Sequence, residues 1–125
     1  MASLNKIQLI GRLGQDPEIR RFEGGAVKAK FSLATSYNYS TPNGEKVEET
    51  EWHNIIMWGK LADVAEKYLK KGKQIFIEGK LKTRSWEDAE SGTKKYITEV
   101  EVQNFSGLLM LGSKADTEKQ NGSAF

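Results

Sequence analysis

The chain has 125 residues, 19 basic and 17 acidic for a formal net charge of +2, with mean hydropathy −0.60, one His and no Cys. That length holds one compact domain with its own core, and the absence of cysteine excludes disulfide frameworks, Cys-based zinc sites, iron–sulfur clusters and thiol nucleophiles. No apolar run approaches the ~20 residues that cross a bilayer, and no charged-then-apolar leader opens the sequence, so a soluble cytoplasmic protein is expected.

In chain order, residues 4–12 read as a first strand, with Ile7 and Leu9 on one face and Ile10 beside Gly11. Gln15-Asp16-Pro17 signals a turn, residues 18–22 a short extended piece, and Glu23-Gly24-Gly25 a second turn. From Ala26 to Tyr39, Val27, Ala29, Phe31, Leu33, Thr35 and Tyr37 alternate with Lys28, Lys30, Ser32 and Ser36, the pattern of a half-buried strand. Residues 40–45 contain Pro42 and an Asn43-Gly44 pair, which predicts a hairpin into a third strand over 47–58.

The period then changes. Leu61, Val64, Ala65, Tyr68 and Leu69 recur at helical spacing, with Asp63/Lys67 and Glu66/Lys70 as acid-then-base pairs four apart, predicting an amphipathic helix over 60–71 capped by Gly72. Residues 73–86 alternate again as a fourth strand, and Ser91-Gly92 turns the chain into a fifth over 95–105. After Gly112 apolar content almost vanishes, so the expectation is a folded domain over about 1–112 and an unstructured tail over 113–125. Three strands, a helix and two strands, with glycines inside the first and fourth strands, predict an all-β fold. It is a five-stranded Greek-key barrel of the oligonucleotide/oligosaccharide-binding type, or OB-fold, with its helix between strands three and four.

Successive strand residues point to opposite faces. Trp52, Asn54, Ile56 and Trp58 therefore share one side of strand three, with Ile55 and Met57 on the other. On strand four, Lys80, Lys82, Arg84 and Trp86 share a face opposite Ile77 and Leu81. Cations that follow phosphates, interleaved with rings that stack unpaired bases, are what single-stranded nucleic acid requires. The competing reading makes the indoles core; the neighbours Arg84 and Lys82 oppose it for Trp86, while Ile56 keeps it open for Trp52 and Trp58.

Other patterns carry less. His53 stands without a second His or a Ser/Asp constellation and reads as structural. Gly72-Lys73-Gln74 lacks the first glycine and the Ser/Thr of a phosphate loop. Glu48-Glu49-Thr50-Glu51 reads as a solvated or pairing face in preference to a metal site. Three Asn-X-Ser triplets, at Asn38, Asn104 and Asn121, carry no meaning without a secretory signal. No pair of titratable groups is placed to work as acid and base, so neither an enzyme nor a cofactor is expected.

Leu13-Gly14-Gln15-Asp16-Pro17-Glu18, Phe31-Ser32-Leu33-Ala34-Thr35-Ser36, Thr50-Glu51-Trp52-His53 and Trp58-Gly59-Lys60-Leu61-Ala62 resemble blocks of the bacterial single-stranded DNA-binding protein family. So do Tyr68-Leu69-Lys70-Lys71-Gly72, Ile77-Glu78-Gly79-Lys80-Leu81-Lys82-Thr83-Arg84 and Met110-Leu111-Gly112, in the same order across residues 4–112. The resemblance implies a homotetramer of OB-fold barrels that binds single-stranded DNA without regard to sequence in replication, recombination and repair, at the nucleoid. It implies stacking by Trp52 and Trp86, with Trp58 where an aromatic precedes Gly-Lys and Tyr39 at another stacking position. Lys60, Lys71 and Arg84 then match phosphate-contacting positions, with Lys70, Tyr68 and Lys82 on the same surface. His53 and Gln74 match positions used between subunits.

The match has gaps. Asn54 stands where many members carry a base. The family's long linker and acidic Pro-Phe tip, which docks replication and repair proteins, have no counterpart beyond Phe125, since Asp116 and Glu118 are balanced by Lys114 and Lys119. The alternatives are an RNA-binding or replication-restart barrel of the same fold, or a protein–protein adaptor that binds no nucleic acid.

Overall fold

The computed structural model describes residues 2–111. The expected tail over 113–125 lies outside them. The strands are β1 (Ile7–Leu13), β2 (Glu18–Arg21), β3 (Val27–Ser40), β4 (Lys46–Trp58), β5 (Gln74–Glu87), β6 (Lys94–Val102) and β7 (Leu108–Leu111). Helix α1 spans Lys60–Tyr68, and a 3-10 turn over Phe105–Gly107 precedes β7.

Five strands close on themselves in the order β1-β3-β4-β6-β5 and back to β1, with β2 added to β3 and β7 to β5. Only β4–β6 is parallel among these pairings. This is the expected five-stranded barrel with its helix between the third and fourth barrel strands. Closure runs through six residue pairs from Ile7↔Gly79 to Arg12↔Gln74, so the barrel itself keeps no free edge.

Alternation divides each strand between core and surface. Ala29, Phe31 and Leu33 of β3, Ile55 and Met57 of β4, Ile75 and Ile77 of β5, and Val100 and Val102 of β6 fill the interior. Helix α1 seals one end with Leu61, Ala62 and Ala65, packed against β3 and β4. Beyond this core the paired strands continue as ribbons. Side chains on both faces are exposed from Ser36 to Ser40 in β3 and from Leu81 to Glu87 in β5.

The expected elements are corrected in three places. The helix stops at Tyr68 instead of Lys71. Leu69 turns extended and its side chain is buried, while its N–H still donates to the Ala65 carbonyl at 3.0 Å. Gly72 therefore belongs to the following turn, where it donates to the Leu13 carbonyl and Lys71 N–H donates to Asp16 Oδ1, both at 2.8 Å. Core burial of Leu69 and these ties to the end of β1 and the turn after it outweigh three more residues of helix.

Second, Leu81 is not core: it sits where the β5–β6 ribbon leaves the barrel, and it is held instead by reciprocal hydrogen bonds with the Asn5 amide at 2.8 and 2.9 Å. Third, the fifth barrel strand ends at Val102, and the chain returns as β7 to pair with β5, burying Leu108.

Gly79 shows what closure demands. Its neighbour across the sheet is so close that a Cβ there would run into the backbone carbonyl of Glu101. Backbone cannot yield as a flexible side chain can, so Gly79→Ala should destabilise the fold by about 1–3 kcal/mol in a denaturant titration. An unchanged midpoint would show that the sheet is looser at this point than the structure has it.

Candidate nucleic-acid interface

Register lays the outer face of the barrel out row by row. One row runs Glu18, Lys30, Ile56, Glu101, Lys80 across β2, β3, β4, β6 and β5. The next runs Ser32, Asn54, Glu99, Lys82. Arg20, Lys28 and Trp58 lie to one side of these rows, and Ala34 and Trp52 to the other. Lysines and arginines from non-adjacent strands thus reach one surface. Glu18, Arg20, Lys28, Lys30 and Arg84 line a depression of about 120 Å³.

The three tryptophans are open to solvent, at 60% for Trp52, 41% for Trp58 and 43% for Trp86. The core reading of the indoles is therefore overturned. Ile56, which shares their side of β4, is only 4% exposed, so a buried aliphatic on the outer face had kept that reading open.

Each ring is braced differently. Trp58 stacks on Phe22, centroids 5.9 Å apart, with Lys28 Nζ 5.5 Å from its ring centroid. Arg20 in turn lies 5.9 Å from the Phe22 centroid, so a cation stands at each end of the stacked Phe22–Trp58 pair. Trp86 has the Arg84 guanidinium 5.4 Å from its centroid. Its cross-strand partner Lys95 pairs with Asp88 at 3.0 Å, and that hydrogen bond leads the causes holding the Asp88 carboxyl below the usual range. Trp52 lies against Gly14, where a Cβ would strike the six-membered ring.

Phe22, Arg20, Lys28 and Lys30 were not singled out from sequence. The signal was present in the alternation of Arg20 and Phe22 with Ile19 and Arg21, and in Lys28 and Lys30 opposite Ala29.

The structure joins only part of the expected set. Lys82 is on the same face, 3.6 Å from Glu101 Oε2, and Lys60 follows Trp58 by two residues at the start of the helix. Tyr68, Lys70 and Lys71 lie at the helix's other end, about 12 Å along its axis, and line no part of the depression. Tyr39 has the strand parity of Phe31 and Leu33, opposite to Trp52, stacks on Tyr37, and donates to Glu49 Oε1 at 3.1 Å. It is not brought together with the tryptophans.

His53 Nε2 is 2.9 Å from Thr35 Oγ1 on the inner parity of β4, and Gln74 begins β5 in register with Arg12 and Leu111. Among the described residues no group of three acidic or histidine side chains is arranged to hold a metal, and no helix is long and apolar enough to cross a membrane.

Exposed rings on a face that also carries cations, as at Trp58 and Trp86, can hold planar groups flat while neutralising negative charge nearby. Known proteins share this scaffold. The pattern of the Single-strand binding protein family matches residues 4–108. Single-stranded DNA-binding protein 1 of Chlorobaculum tepidum is 50% identical over 111 residues, covering 89% of this chain and 67% of that protein. The solved Plasmodium falciparum SSB complex with ssDNA superposes with a TM-score of 0.80 at 39% identity, covering 90% of this chain and 98% of that one.

Gly14 supplies a direct handle on Trp52. Gly14→Ala should lift the indole from its seat, shifting the emission maximum and altering acrylamide quenching while far-UV circular dichroism stays the same. Emission identical to that of the parent would show that the ring does not rest there.

Proposed function

This chain belongs to the single-strand binding protein family, and we propose that it binds single-stranded DNA through the outer face of β3, β4 and β5, with Trp52, Trp58 and Trp86 as stacking platforms. The observation that carries this reading is the conjunction on one face of three exposed indoles with the cations Lys28 and Lys30, and with Arg84 beside the Trp86 ring. Stacking contributes about 1–3 kcal/mol per base and accepts every base, because each has a π-face. Bases in a duplex already stack on one another, so the same face gains little from paired DNA. Binding is therefore directed to single strands and tolerant of sequence.

Lys60 extends the cationic surface from the end of β4. Tyr39, Tyr68, Lys70 and Lys71 belong to a longer path on which the strand leaves the tryptophan face and passes over the β3–β4 ribbon and the far end of the helix. The protein acts by binding alone, protecting single strands in replication, recombination and repair, in the cytoplasm at the nucleoid. Its working form is a homotetramer with His53 and Gln74 between subunits; exposed Leu4, Leu109 and Met110 supply apolar surface for such contacts. One binding domain over about 1–112 is the organisation this reading takes.

Titration with oligo(dT) should quench the tryptophan fluorescence, and Trp86→Ala should weaken binding by about 1–3 kcal/mol per site with the thermal midpoint nearly unchanged. Saturation without quenching, or loss of the fold in the alanine variant, would contradict the assignment of these rings to the bound strand.

A further inference from the structure

The cationic face has negative charge built into its centre. Glu99 is 1% exposed, and its Oε1 accepts from Arg84 Nε at 3.0 Å. Glu101, two residues on and pointing the same way, has Oε2 3.6 Å from Lys82 Nζ. The Oε2 atoms of both carboxylates are buried without a hydrogen-bond partner among the described residues. In register they lie between Asn54 and Ile56 of β4 and Lys82 and Lys80 of β5.

Burying a carboxylate away from water is unfavourable unless a cation stands against it, and a face built only to attract a polyanion has no use for two. We propose that Glu99 and Glu101 are internal counter-anions of the binding face, occupying Arg84 and Lys82 in place of phosphate. Those two cations then fix geometry instead of neutralising the strand. Held by Glu99 through Nε, the Arg84 guanidinium stays beside the Trp86 ring, which makes Glu99 a positioning residue for that platform. Phosphate neutralisation falls to cations with no carboxylate within ion-pair distance among the described residues, such as Lys28 and Lys30. The strand is gripped less tightly than the number of basic residues implies, as suits a protein that must give it up.

The inference rests on the single-stranded DNA reading and is tested with the full chain by measuring oligo(dT) affinity against salt concentration. For single strands the log–log slope is about −0.7 per phosphate neutralised. Glu99→Gln, which keeps shape and removes charge, should free Arg84 for a phosphate and steepen the slope by about 0.7; Glu101→Gln should do the same through Lys82. In the double variant Glu99→Gln/Arg84→Gln the slope should return to that of the parent.

Slopes unchanged in both single variants, or a steepening that persists in the double variant, would overturn the proposal. If Glu99→Gln fails to fold, the outcome for the less deeply buried Glu101 decides. A parent protein that binds oligo(dT) with no salt dependence would instead overturn the reading on which the inference rests.

Discussion

Pairing of β1 with β5 closes the sheet, and the rest of the surface follows from that closure. Once Ile7–Arg12 lies against Gln74–Gly79, every barrel strand has one face turned to an interior that water cannot enter. The alternation of side chains then sorts residues without further instruction. Ile55 and Met57 go inward, so Trp52 and Trp58, at even spacing from each other and odd spacing from that pair, go outward. Exposing three indoles is unfavourable in isolation. It is tolerated because a fifteen-residue core cluster, with Phe31, Leu33, Ile55, Met57, Ile75 and Ile77 at its centre, carries the stability elsewhere.

Electrostatics on the outer face are local, since the net charge of +2 attracts little by itself. Strand order brings Lys28 and Lys30 from β3 within reach of Arg84 from β5, residues more than fifty positions apart, while the acidic run Glu48-Glu49-Thr50-Glu51 is carried away on the projecting β3–β4 ribbon. The aromatic rings contribute to this arrangement beyond stacking. Two of the indoles have a cation over or beside the face, Lys28 at Trp58 and Arg84 at Trp86, which holds long flexible side chains near the rings.

Period-2 and period-3.6 patterns are local properties, and so the barrel strands, the helix and the parity of Trp52, Trp58, Trp86, Lys82 and Arg84 were all legible in the sequence. Features that depend on contacts between distant segments were not. The helix terminus is decided by the burial of Leu69 and by the hold of Asp16 and Leu13 on the residues after it. The stacking of Phe22 on Trp58, and the burial of Glu99 among cations, need the cross-sheet register that only closure supplies. Tyr39 shows the reverse. Its resemblance to a stacking position is plain in the sequence, but strand parity places it on the opposite side of the ribbon from Trp52.

On the proposed function, bases lie flat on the outward indoles of β4 and β5. The most direct measurement is photocrosslinking of oligo(dT) carrying 5-iodouracil, followed by mapping of the adducts by mass spectrometry. Adducts at Trp52, Trp58 or Trp86 are the predicted result. Efficient crosslinking confined to other surfaces, such as the acidic ribbon over residues 45–51, with none at the three tryptophans, would contradict it.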